Sequence, residues 1–112
     1  PKETEIGNKE YKRKILFTKN HNKMIEKRRT QMLYRLYEGN GIAYYFLGVE
    51  DNGQPHGISL SELLITIQNL KEISDGLNTE WKYIEIYPGI TRNSYTAIVQ
   101  LTLTNITSYS IY

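Results

Sequence analysis

The chain has no cysteine, which removes disulfides, thiolate catalysis and sulfur-ligated metals together. That is compatible with a reducing compartment, and the expected location is cytoplasmic. Histidines are scarce: His21 and His56 are the whole supply, so a zinc site has almost no ligand set to draw on. No apolar run approaches the roughly 20 residues that cross a bilayer, and the polar PKETEIGNK opening is no signal peptide. Internal repeats and low-complexity blocks are missing as well. Acidic residues are sparse at one end only. Residues 1–40 carry eleven Lys/Arg against five Asp/Glu, and residues 41–112 carry three against seven. A basic first third on an acidic remainder predicts a local electropositive face.

What is present is one domain's worth of sequence. At 112 residues the chain can bury roughly two-thirds of its unfolded surface in a single core. Ten tyrosines bring amphipathic area to strands and interfaces. Residues 1–9 read as a flexible N-terminal segment and residues 10–112 as a single α+β domain, expected to be a piece of a longer protein.

The hydrophobic pattern predicts the elements. Glu10–Phe17 reads as a strand, with Tyr11, Arg13, Ile15 and Phe17 on one face and Lys12, Lys14 and Leu16 on the other. Asn20 or Asn22 is placed to cap a helix over Lys23–Tyr37, whose apolar stripe is Ile25, Met32, Leu33 and Leu36. Ile42–Val49 is a continuous apolar run, the mark of a central strand. Asn52-Gly53 predicts a hairpin, with a short edge strand over Gln54–Ile58 limited by Pro55. Ser59 and Glu62 form a capping box for a second helix, striped by Leu60, Leu63, Leu64, Ile67, Leu70 and Ile73 and ended at Asp75-Gly76. Trp81–Tyr87 and Tyr95–Leu103 alternate as two paired strands. The order β-α-β-β-α-β-β predicts a two-layer α+β fold. In it a mixed, mostly antiparallel sheet of about five strands carries two helices on one face.

GVEDNGQPHG, residues 48–57, tests for a phosphate-binding loop, because Gly48 and Gly53 have that spacing. Such a loop needs a lysine and a hydroxyl next and a helix at once. Gln54 and Pro55 occupy those positions, Glu50 and Asp51 repel phosphate, and the helix waits until Ser59. The turn reading wins: Asn52-Gly53 reverses the chain, Asp51 stabilises it, and Gly48 permits a close approach. Glu50 and Asp51 as metal ligands would need further converging oxygens. A Ser59-His56-Asp51 triad lacks a nucleophile-elbow sequence. Trp81 and the strand tyrosines read as packing before base-stacking platforms.

The basic segment offers Lys12, Lys14, Lys19, Lys23, Lys27, Arg28, Arg29 and Arg35 as candidates for nucleic-acid binding. If they share a surface they can neutralise several phosphates. A solvated helix face is the competing reading.

EYK at Glu10–Lys12, TQMLYRLYEGNGIAYYFLGVEDNG at Thr30–Gly53, Gly57 and the leucine-bearing helix after it together form a distinctive block. It resembles the domain that precedes the GTPase module in eukaryotic GTP-binding proteins related to elongation factor 1-alpha. The likeness covers about two-fifths of the chain, and after Leu70 only the element pattern is shared. GVEDNG followed by Gly57 is also similar, over a shorter stretch, to the Schlafen AlbA-like domain. That second likeness would imply a metal-dependent nuclease using Glu50 and Asp51.

The first resemblance implies a translational-type GTPase acting with RNA or the ribosome, its GTP and Mg²⁺ held in a downstream GTPase domain. No Walker lysine, Asp-x-x-Gly or Asn-Lys-x-Asp occurs in these residues, so no catalytic residue carries over. The expectation is a non-catalytic accessory domain contacting RNA, the ribosome or its own GTPase module through the basic surface. The alternative is a docking domain that does not bind nucleic acid.

Overall fold

The computed structural model describes residues 7–17 and 21–104. In chain order the elements are β1 (Lys9–Lys12), α1 (His21–Glu38), β2 (Ile42–Leu47), α2 (Leu60–Asp75), β3 (Thr79–Pro88) and β4 (Tyr95–Leu103). Four strands form one mixed sheet in the order β1-β2-β4-β3. β1 runs parallel to β2, and β4 is antiparallel to both β2 and β3. The apolar run at Ile42–Leu47 is paired on both sides, as its composition requires.

The fold is α+β, with four strands among the described residues where about five were expected. Gln54–Ile58 forms no strand; only Ile58 makes an isolated bridge, to Tyr95. The reason lies in the turn. Gly53 N–H donates to the Glu50 carbonyl, and Glu50 N–H to the Gln54 carbonyl. Gly53 takes φ 88°, which makes a three-residue loop with a bulged glycine instead of a two-residue hairpin. Pro55 brings no donor to the outgoing arm, and His56 N–H is spent locally on the Gln54 carbonyl.

The first strand is also shorter than the predicted Glu10–Phe17. Past Lys12 the backbone turns to α2: Ile15 N–H donates to Thr66 Oγ1 at 3.2 Å, and its carbonyl accepts from Asn69 Nδ2 at 2.7 Å. Those side chains replace ladder partners. Asn20 lies outside the described residues, and Asn22 sits within the first turn of α1.

Both helices lie against one sheet face, where Ala43, Tyr45, Leu47, Ala97, Val99 and Leu101 meet Met32, Leu36, Leu63, Leu70 and Ile73. Ser59 caps α2 as its sequence predicts. Its Oγ accepts from Glu62 N–H, and Glu62 reaches back to Ser59 N–H. A buried ion pair ties β1 to α1. Arg35 Nε donates to Glu10 Oε1 at 2.7 Å, and Arg35 also donates to the Gly7 carbonyl. Leu33, expected in the core stripe, is exposed. The buried arc of α1 is narrower than its apolar set.

Candidate interaction surfaces

The 48–57 loop is built for shape. Gly48 has φ 77°, and a Cβ there would stand 2.7 Å from the Tyr95 carbonyl oxygen. Only glycine allows this approach. The stabilising side chain in the turn is Asn52, whose Oδ1 accepts from Gln54 N–H at 2.9 Å. The sequence had assigned that role to Asp51, which is exposed. Glu50 faces Arg13 at 3.3 Å and His56 Nδ1 at 3.9 Å. Among the described residues, no group of three His, Cys, Asp or Glu side chains is placed to hold a metal.

The basic candidates divide. Arg35 is sealed against Glu10, with side-chain exposures of 5% and 0%. Lys12 lies 3.3 Å from the other Glu10 oxygen, which makes no hydrogen bond among the described residues. Lys14 donates to Glu62 at 2.5 Å. That contact, followed by those from Ser59, holds the Glu62 carboxyl below its ordinary pKa against the opposing effect of desolvation. Arg29 is spent on the C-terminus of α2, donating to the Ile73 carbonyl at 2.9 Å and the Glu72 carbonyl at 3.1 Å. A cation is favoured there because it meets the last unpaired carbonyls.

Lys23 and Lys27 remain exposed on the outer side of α1, and Arg28 is half-buried on another side of the helix. None of the three has an acidic partner among the described residues. Lys19 lies outside those residues. Tyr34 and the still more exposed Tyr37 continue the same outer row.

Pattern reading missed a second surface. β3 is an edge strand that α2 meets at its start, where Thr79 and Trp81 both donate to Ser74, and that neither helix packs on extensively. Its register places Ile84 opposite Val99 and Ile86 opposite Ala97, so both isoleucines point to the helix side. There they find no helix packed over them. Across a groove stand Leu64 and Ile67 of α2, with Trp81 at one end and Lys71 and Asp75 on the rim. Leu60, Leu64, Ile84 and Ile86 are 41–52% exposed. Leu60 and Leu64 were expected in the core. With Ile84 and Ile86 they leave apolar side chains exposed on both the helix and the strand that flank the groove. An exposed apolar groove of this kind is a candidate interaction surface.

The opposite sheet face is aromatic. Tyr11 packs edge-to-face on Phe46 with centroids 5.3 Å apart. Tyr44, Gln100 and Tyr83 form a row across three strands. Its charges balance: Lys9 and Lys82 stand against Glu80 and Glu85. The Tyr87 hydroxyl donates to Glu85 at 2.6 Å, and this contact raises the Tyr87 pKa.

No family model matches the chain. Over 80 residues it is 36% identical to GTP-binding protein 2 of Mus musculus and, equally, of Homo sapiens. The match covers 71% of this chain and 13% of each relative. The aligned region therefore spans about an eighth of the relatives' length. The identity supports a relationship between this chain and a GTP-binding protein.

Proposed function

We propose that this chain is a non-catalytic accessory domain of a GTP-binding protein, and that it docks on the remainder of that protein through the α2/β3 strip. One observation carries the reading. Leu64 and Ile84 line one groove with a half-buried Trp81, and Leu60 and Ile86, four and two residues along the same elements, are about half exposed as well. Fully burying such a side chain stabilises by about 1.5–3 kcal/mol. Closing the strip is therefore worth several kcal/mol before the cost of association. The occupant we favour is the rest of the same polypeptide, because most of each relative's length lies outside the matched region. GTP and Mg²⁺ belong to that remainder in this account, in a protein of the elongation factor 1-alpha-related kind acting in the cytoplasm.

The test supplies the remainder of the full-length protein as a separate chain and titrates it with this one. Leu64→Lys with Ile84→Lys should abolish binding while leaving the urea midpoint nearly unchanged, since neither side chain is in the core. Unchanged affinity would refute the strip as the docking face.

A second reading rests on Lys23 and Lys27, with Arg28 half-buried on another side of the same helix. Two exposed cations without acidic partners among the described residues support contact with RNA, the ribosome included, through the outside of α1. The other basic candidates are bonded within the fold, or lie outside the described residues in the case of Lys19. Any such contact is narrower than the 12–35 segment suggests.

A further inference from the structure

α1 carries more than charge on its outer side. Lys23, Lys27 and Tyr34 lie nearly in line, since four and seven residues return to almost the same side of a helix. Tyr37 follows one turn later, whereas Arg28, one residue past Lys27, is turned about 100° around the helix from it and is half-buried. Tyr37 is 79% exposed and Tyr34 40%. An exposed phenol ring is an unusual surface to leave open unless something covers it. Tyr34 is also held in place: the Arg35 guanidinium, locked by Glu10, sits 5.9 Å from its ring centroid. One side of that ring is therefore fixed from within the protein.

We propose that this row binds single-stranded nucleic acid, with Lys23 and Lys27 on phosphates and Tyr34 and Tyr37 under successive unstacked bases. The inference rests on the second reading above and specifies its ligand. Side chains three apart on a helix stand about 5–6 Å apart at Cβ, close enough to serve neighbouring nucleotides. Stacking needs bases free of a duplex, and a paired strand would offer this row only its backbone. The aromatic sheet face is the weaker platform, because Glu80 and Glu85 cancel Lys9 and Lys82 there. On the outer side of α1 Glu26 and Glu38 flank the row, but Lys23 and Lys27 form no ion pair among the described residues, whereas Lys82 is paired with Glu80 on the sheet.

The test measures fluorescence anisotropy of the 112-residue chain with labelled oligouridylate, oligothymidylate and an RNA duplex of equal length. Both single strands should bind more tightly than the duplex; a gap between the two would report a contribution from the 2′-hydroxyl. Two phosphate contacts predict a log–log salt slope of about −1.4, or roughly sevenfold weaker binding at 200 mM than at 50 mM salt. Lys23→Glu with Lys27→Glu should lower affinity by about tenfold or more. Tyr34→Ala and Tyr37→Ala should each cost about fivefold or more on single strands and nothing on duplex. Tyr34→Phe should retain binding, because the ring is kept.

Two results overturn the inference. Duplex binding as tight as single-strand binding, with the tyrosine variants unchanged, would leave a phosphate-only contact and the RNA reading intact. Absence of binding to all three probes at the lower salt would remove both.

Discussion

Replacing Arg35 with leucine probes the buried ion pair that joins β1 to α1. The substitution leaves Glu10, whose side chain has no exposure, facing an apolar group. Removing one partner of such a pair costs about 3–5 kcal/mol, because the remaining charge stays desolvated. Lys12, 3.3 Å from Glu10, offsets part of this. The hydrogen bond to the Gly7 carbonyl is lost too, adding about 1 kcal/mol. We therefore expect a loss of about 3–4 kcal/mol, read from urea unfolding followed by Trp81 fluorescence. Trp81 suits the purpose, being half-buried with Nε1 donating to Ser74 Oγ at 2.9 Å. Glu10→Leu combined with Arg35→Leu should recover most of the loss, since the stranded carboxylate is gone. A single-variant cost below about 1 kcal/mol, or a double variant as unstable as the single, would refute the reasoning.

The other predictions concern sites where one contact decides. Gly48→Ala should destabilise by about 2 kcal/mol or more in the same unfolding assay, since it combines φ 77° with a 2.7 Å approach to the Tyr95 carbonyl. A cost under about 0.5 kcal/mol would mean the loop relaxes freely. Thr66→Val removes the acceptor for Ile15 N–H and should cost about 1–3 kcal/mol; a neutral result would place that N–H on another partner. Glu62 titrates below its ordinary value of 4.5 in the folded state. Its contribution is therefore complete above that pH and is lost as the pH falls through the lowered value. Lys14→Met should flatten the acid limb of stability against pH, and an unaltered limb would show that the Lys14–Glu62 contact is not held in solution.

The parts legible in the sequence are those settled within a few residues. The Ser59–Glu62 capping box, the Gly76 stop of α2 and the Tyr95–Leu103 strand each rest on local pattern, and each stands as read. The parts that were not legible depend on distant partners. Arg35 reads as one more cation in a basic segment until Glu10, 25 positions away, is folded against it. Thr66 carries no signal in the apolar pattern of α2, yet it is fully buried, where its hydroxyl accepts from Ile15 N–H. Leu60 and Leu64 fit the stripe of α2, but the spacing of leucines gives the width of an apolar arc and not what it faces. α2 stops short of covering β3, and the apolar side chains left open on both became the strongest candidate surface. The basic segment was overread for a related reason. Fold-internal carboxylates and helix-end carbonyls claim Lys12, Lys14, Arg29 and Arg35, and a charge count along the chain cannot reveal those partners.

Docking through the α2/β3 strip is tested most directly by hydroxyl-radical footprinting of this chain alone and within the full-length protein. Ile90, 62% exposed and outside the strip, serves as the internal reference. Oxidation of Leu64, Trp81, Ile84 and Ile86 should fall severalfold in the full-length protein while Ile90 stays constant. Equal oxidation of those four residues in both forms would contradict the account.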